Sequence, residues 1–140
     1  MPIDFSNVSF VYNPHSPFQY EALKGIDLSL EEGKFIALVG RTGSGKSTLI
    51  QLINALLHPT TGEVKVLDFI NSADKHHRSK NVKALRKQVG LVFQFPEYQL
   101  FEENVEKDVA FGPKNFGLKP EEALKVAHEA LGKVGLNESF

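Results

Sequence analysis

The sequence predicts an α/β fold, and three features carry that prediction. A wholly apolar stretch, Phe35-Ile36-Ala37-Leu38-Val39, lies between Gly33 and Gly40. A run of that length bounded by glycine suits a strand buried on both faces, as in a parallel sheet. A glycine-rich loop follows at once and leads into residues 46–57, where Leu49, Ile50, Leu52, Ile53, Leu56 and Leu57 make one wide helical stripe. Ahead of both, two stretches alternate with a period of two, as half-buried antiparallel strands do. With 140 residues, 41% of them hydrophobic, the chain can close one domain around a core and is too short for two of ordinary size.

The first alternation covers residues 3–12, with Val8, Phe10 and Tyr12 on one face. Asn13-Pro14-His15-Ser16-Pro17 ends it, because closely spaced prolines deny regular pairing. The second carries Ile26, Leu28 and Leu30 and stops at the turn Glu31-Glu32-Gly33. After the helix of 46–57, ended by Pro59 and Gly62, residues 64–67 read as a short strand and 71–81 as a polar, basic surface excursion. Residues 85–89 read as a short helical turn, and Leu91-Val92-Phe93 as another buried strand ending at Gln94. The last element is a helix over 120–134. Pro120 suits its first turn, Glu121 and Glu122 suit its positive end, and Leu124, Ala127, Leu131 and Val134 share a face.

Charged residues make up 24% of the chain and the net charge is −1, which excludes disorder by charge excess and any global pull toward nucleic acid or anionic lipid. The run 75–87 holds six Lys or Arg with His76 and His77, but it has no interleaved aromatic residue and reads as a solvated surface. Adjacent histidines point apart on any regular element, so no metal site is expected there. The absence of cysteine excludes a disulfide scaffold, a Cys-ligated metal and cysteine catalysis, and it is compatible with a reducing cytosol. No Ser-His-Asp set stands out. The N-terminal MPIDFSNVSF has no basic stretch leading into an apolar run, so no signal peptide is expected. The longest apolar run is far below the roughly 20 residues of a membrane span, so a membrane link would come through a partner.

The strongest signal is Gly40-Arg41-Thr42-Gly43-Ser44-Gly45-Lys46-Ser47, which matches G-x-x-x-x-G-K-[ST] at every fixed position. Glycines let the backbone turn with positive φ and approach a ligand closely. The loop N–H groups converge on phosphate oxygens, and the positive end of the following helix faces the same anion. Lys46 supplies a mobile charge for the β- and γ-phosphates, and Ser47 a hydroxyl for Mg²⁺. Candidate phosphate-binding residues are therefore Gly40, Arg41, Thr42, Gly43, Ser44, Gly45, Lys46, Ser47 and Thr48.

Small GTPases, nucleotide kinases, recombinases and transporter ATPases share such a loop. A GTPase would need a threonine switch and an N-K-x-D motif, and neither is present. Here two antiparallel-type strands precede the loop, and Gln94 follows a buried strand. Together with Tyr12, Leu23-Lys24-Gly25-Ile26 and Pro59-Thr60-Thr61-Gly62-Glu63, these features resemble the ATP-binding cassette family over residues 3–136. The resemblance implies a phosphate-loop NTPase with a RecA-like core, here truncated. Residues 1–33 would be the antiparallel β portion, 34–94 the core portion and 95–140 the start of the helical subdomain. Phe93-Gln94-Phe95-Pro96-Glu97-Tyr98-Gln99-Leu100-Phe101 and the later Asp108-Val109-Ala110-Phe111-Gly112-Pro113-Lys114-Asn115-Phe116-Gly117 are similar to the A-component ATPases of energy-coupling factor transporters. Those drive bacterial uptake of vitamins and of cobalt or nickel ions. The loop at Ser16-Pro17 is similar to that of one of the two paralogous A-components.

On this resemblance ATP and Mg²⁺ are the cofactors, and Tyr12 stacks on adenine; a strand aromatic packed in the core is the alternative. Gln94 reaches Mg²⁺ and the attacking water, beside Ser47, and reports the γ-phosphate to a transmembrane partner. Leu100 and Phe101 form a docking surface or else cover the local core, and Glu97 belongs to the coupling loop. The implied partners are a second ATPase subunit (paralogue or self), a transmembrane coupling subunit and a substrate-binding membrane subunit, with no nucleic acid. The implied place is peripheral, on the cytoplasmic face of the bacterial membrane. The family's LSGGQ signature, its strand ending in Asp and the catalytic Glu, and its switch His do not occur in the sequence. The chain therefore reads as the N-terminal part of a longer ATPase, expected to bind nucleotide without turning it over and to self-associate through exposed strand edges. A non-transport cassette ATPase acting on ribosomes or DNA, and a non-catalytic nucleotide-binding module, are the alternatives.

Overall fold

Two hairpins account for the sheet. β1 (Ile3–Tyr12) pairs antiparallel with β2 (Tyr20–Leu30), Ile3 opposite Leu30 and Tyr12 opposite Tyr20. β3 (Thr61–Val66) and β4 (Phe69–Ser72) form the second hairpin, and β3 lies antiparallel against the other edge of β1, giving the order β2-β1-β3-β4. This computed structural model describes residues 2–136; residues 1 and 137–140, the outermost of the expected 1–33 and 95–140 segments, lie outside them. The chain divides into two compact units, Met1–Leu91 and Val92–Phe140, rather than closing on a single core.

In the first unit the alternating pattern does what its period requires, with one interruption. Phe5, Val8 and Phe10 of β1 are all buried although Phe5 and Val8 are an odd number of residues apart. The pairing register shifts between them, and Asn7 takes φ 48°. Such a bulge re-aims the following side chains to the same face, and Asn tolerates the left-handed region better than most residues. Gly62 on β3 leaves room for it, since a Cβ there would lie 2.2 Å from the Asn7 carbonyl oxygen. These side chains join Leu23, Val64, Val66 and Phe69 from the sheet, and Leu49 and Leu52 of α1 (Lys46–Ile53), in one core that also takes Leu85 of α2 (Val82–Gln88). Each such burial is worth roughly 1.5–3 kcal/mol before entropy is counted.

α1 is shorter than its apolar stripe predicts. It stops at Asn54, and Ala55 takes φ 53°. Two side chains from later in the chain hold this end. Asn71 donates through Nδ2 to the carbonyls of Leu52 and Leu57, both at 2.8 Å, and its Oδ1 lies 2.6 Å from His58 Nδ1. Arg86 donates to the carbonyls of Asn54 (3.3 Å) and Ala55 (3.0 Å). The expected surface excursion over 71–81 is thus corrected at its start. Asn71 and Ser72 are buried in β4: Asn71 meets the carbonyls where α1 ends, and Ser72 Oγ accepts from the Asp74 N–H at 3.2 Å.

The two expected parallel strands also need correction. Among the described residues neither 35–39 nor 91–93 is a strand. Val39 is 89% and Val92 80% exposed. A strand buried on both faces needs pairing neighbours for its N–H and C=O groups. The four strands that form satisfy one another within two hairpins and their shared edge, and none of them pairs with these segments.

The second unit is helical. A 3₁₀ turn at Pro96–Gln99 precedes α3 (Val105–Asn115) and α4 (Pro120–Lys133), which pack around Ala110, Ala123 and Ala127. α4 starts at Pro120 as expected, with the Glu122 carboxylate accepting from the Lys119 N–H at 3.2 Å. α3 is not anticipated by the sequence reading. Its N-terminus is capped by Asn104, whose Oδ1 accepts from the Lys107 N–H at 2.9 Å. Among the described residues no helix is long and apolar enough to cross a membrane.

Candidate nucleotide-binding site

The glycine-rich loop enters α1 through Gly45, the N-cap residue, at φ 86° and ψ 4°. Only glycine adopts this without strain, and space demands it too. A Cβ on Gly45 would lie 2.5 Å from the Ala22 carbonyl oxygen and 2.8 Å from Leu23 Cδ2. The loop is therefore pressed against β2. Within it the Ser44 N–H donates to the Arg41 carbonyl at 3.1 Å, and Gly43 takes φ 81°.

Lys46, the first residue of α1, is half-buried. Its ammonium donates to the carbonyls of Gly40 (2.7 Å) and Arg41 (2.8 Å) and to Ser44 Oγ (3.4 Å). The charge is thus held in the curl of the loop. Gly45 supplies no side-chain cap and the first turn holds no acidic residue, so the orphan N–H groups of the helix start are left for an anion. Ser47 is exposed one residue further on, and Arg41 and Thr42 are exposed on the loop.

Two tyrosines wall the other side. Tyr12, at the end of β1, is 36% exposed; its hydroxyl lies 3.0 Å from the buried Thr48 Oγ1 and its ring meets Phe10 edge-on at 4.7 Å. Tyr20, opposite it across the β1–β2 pair, donates its hydroxyl to the Gly43 carbonyl at 2.8 Å. Between them lies a cavity of about 210 Å³, lined by Tyr12, Tyr20 and Ala22 on the sheet side and by Gly43, Gly45, Lys46, Ser47 and Thr48 on the loop side. That volume suits a phosphate tail rather than a whole nucleotide. Lys46, a glycine cradle that a Cβ would fill, and an uncapped helix start together fit a phosphoanion. Ser47 offers one hard oxygen ligand. Among the described residues no group of three His, Cys, Asp or Glu could hold a metal. Mg²⁺ commonly binds through one or two protein oxygens plus substrate phosphates, so this donor set fits it in company with a phosphate.

The structure thus brings Tyr12 and the loop residues Gly43, Gly45, Lys46, Ser47 and Thr48 to one cavity. Gln94 belongs to the second unit, exposed in the bend ahead of the 3₁₀ turn. Leu100 and Phe101 are exposed there as well, the Phe101 ring meeting Phe111 edge-on at 4.8 Å. Sequence reasoning missed Tyr20. No local signal marked it, because the alternation read for the second strand begins at Ile26 and the pairing of Tyr20 with Tyr12 depends on register.

Fold and cradle together define a module of sheet and helices built around a glycine-rich loop that opens a helix. The chain belongs to the ABC transporter family, whose profile matches residues 23–139. It is 51% identical over 140 residues to the energy-coupling factor transporter ATP-binding protein EcfA2 of Enterococcus faecalis, covering 100% of this chain and 48% of that protein. Against the protein of the same name in Lactococcus lactis subsp. lactis it is 54% identical over 138 residues, 99% of this chain and 47% of that one. The chain spans about half the length of the curated relatives it matches. Among solved structures, the dimeric post-hydrolysis state of the ATP-binding cassette MJ0796 bound to ADP and Pi matches with a TM-score of 0.77 at 29% identity, covering 99% of this chain and 59% of that one. CbiO1 from Clostridium perfringens, part of the ABC transporter complex cbiONQ, matches at 0.73 and 31% identity, covering 96% and 50%. The family read from the motifs is the family found.

Proposed function

We propose that this chain is the nucleotide-binding end of an ATP-hydrolysing subunit that powers an energy-coupling factor transporter, importing vitamins or transition-metal ions. The observation that supports it most is the Lys46 ammonium held in the curl of the loop beside an uncapped helix start. A triphosphate entering there exchanges neutral carbonyl partners of Lys46 for charged oxygens and receives the first N–H groups of α1. Tyr12 stacks on adenine with its ring, since its hydroxyl is engaged by Thr48. Ser47 would hold Mg²⁺, which supplies charge neutralisation at the phosphates when bound; for Gln94 a part in holding the ion rests on the family resemblance alone. Gln94 orients the attacking water and carries the state of the γ-phosphate toward the membrane partner.

In this reading residues 1–33, 34–94 and 95–140 are the β portion, part of the core and the start of the helical subdomain. The partners are a second ATPase subunit, a transmembrane coupling subunit and a substrate-binding membrane subunit, and the site of action is the cytoplasmic face of the bacterial membrane. The resemblance to EcfA2 proteins and to a cassette dimer holding ADP and Pi supports both assignments. Calorimetry with Mg·ATP tests the site. Lys46→Ala removes a charge-assisted contact worth about 1.5–3 kcal/mol and is expected to lower affinity at least about tenfold without unfolding the chain. Unchanged affinity would sink the assignment.

A further inference from the structure

Resting on the nucleotide reading of this site, we infer that Tyr20 is a positioning residue, whose hydroxyl holds the Gly43–Ser44 peptide of the loop in place at the wall of the cavity. The peptide is held at both edges. Its carbonyl accepts from Tyr20 at 2.8 Å, and the Ser44 N–H, on the opposite edge of the same trans peptide plane, donates to the Arg41 carbonyl at 3.1 Å. Gly43 would otherwise be the loosest point of the loop. The plane turns about ψ of Gly43 and φ of Ser44; Gly43 has no Cβ to resist on its side, and nothing lies within 4 Å of where that Cβ would be. A flip of this plane would break both bonds and change the course of the loop that lines the cavity beside Lys46.

Tyr20 is well placed to prevent that flip. It begins β2, directly opposite Tyr12, whose own hydroxyl reaches Thr48 on α1. The two hydroxyls thus tie the end of one hairpin to both sides of the cavity, the loop through Tyr20 and the helix through Tyr12. Both rings are left as walls.

Tyr20→Phe keeps the ring and removes only the clamp. Two measurements on the 140-residue chain test it. In the nucleotide-free protein, amide relaxation dispersion at Gly43 and Ser44 should show new microsecond-to-millisecond exchange in the variant while the sheet amides stay unchanged. In calorimetry, ADP affinity should fall about 3- to 10-fold, AMP affinity should fall less, and the urea midpoint should hold. An unchanged loop in the relaxation experiment overturns the inference. So does an equal loss for ADP and AMP, which would mark a wall effect instead of loop positioning. Failure of the wild-type chain to bind ADP would overturn the nucleotide reading itself, and the relaxation measurement would then decide the clamp alone.

Discussion

Val8 and Leu52 in the first unit have no exposed surface, whereas Leu100 and Phe101 in the second keep 69% and 63% of theirs. The strands and helices of the first unit turn Phe5, Val8, Phe10, Leu49 and Leu52 inward and close a four-stranded sheet on α1 and α2, while Phe35 and Val39, between β2 and α1, stay exposed. The second closes its two helices with three alanines and turns Phe95, Tyr98, Leu100, Phe101 and Phe111 outward. Alanine lets helix backbones approach closely but removes little apolar surface from water. The sheet–helix core of the first unit therefore holds more buried apolar side chain than the alanine seam of the second. Substitutions in the first should be read out as unfolding, and those on the exposed aromatics of the second as altered association.

The largest expected effect comes from breaking the first core. Leu52→Ala removes a side chain with no exposed surface from a packed sheet–helix interface, and a cost of about 2–5 kcal/mol is expected in urea melts. The same helix carries Lys46, so nucleotide binding should fall with the folded fraction. A loss below about 1 kcal/mol would mean that this core is loosely packed and that the contrast between the units is wrong.

Tyr12 gives a smaller effect and separates its two roles. Tyr12→Ala should weaken ATP binding, because the ring face is lost. Tyr12→Phe should leave ATP affinity nearly unchanged while lowering stability by about 0.5–1.5 kcal/mol, because the buried Thr48 hydroxyl loses its partner. Calorimetry and urea melts on both variants decide. If both variants lose stability and neither loses affinity, Tyr12 is a core residue only.

What could be read beforehand follows the same division. β1 was legible to its ends, and so were the glycine-rich turn into α1 and the start of α4, because each is specified by residues close in sequence: an alternation, a glycine spacing, a proline followed by two glutamates. α3 was hidden by Gly112 and Pro113, which read as breakers yet sit inside the helix, where Pro113 offers no N–H to the carbonyl one turn earlier. Asn104 followed by Glu106 and Asp108 was the signal that could have revealed it. β4 was hidden by Asn71 and Ser72, whose polarity serves the end of α1 and the Asp74 N–H respectively rather than water. The segment 35–39 was legible as strand-like in composition, but a parallel strand depends on neighbours far away in sequence, and local pattern does not report whether they pair. The hydroxyl contacts of Tyr12 and Tyr20 depend on cross-strand register, which a period-two pattern leaves open wherever bulges shift it, as they do three times along β1 and β2.

The smallest expected effect on stability should come with the largest on assembly. Leu100→Asp and Phe101→Asp place charge where side chains are already mostly in water. The backbone of this loop is held independently of them, because the Asp108 carboxylate accepts from the N–H groups of Phe101 and Glu102 at 3.1 and 3.2 Å. Only the edge-on contact of Phe101 with Phe111 is lost, worth about 0.5–1.5 kcal/mol at most and less on an exposed pair. Leu100→Asp should therefore shift the urea midpoint negligibly, with Phe101→Asp slightly lower, and ATP binding should persist in both. If the outward aromatics meet a membrane subunit, as the proposed function requires, the double variant of the longer protein should no longer co-elute with that subunit on gel filtration in detergent. Co-elution at wild-type levels would count against the docking surface. A large loss of stability in Leu100→Asp would count against the contrast itself, since it would mean that the second unit relies on this side chain for its core.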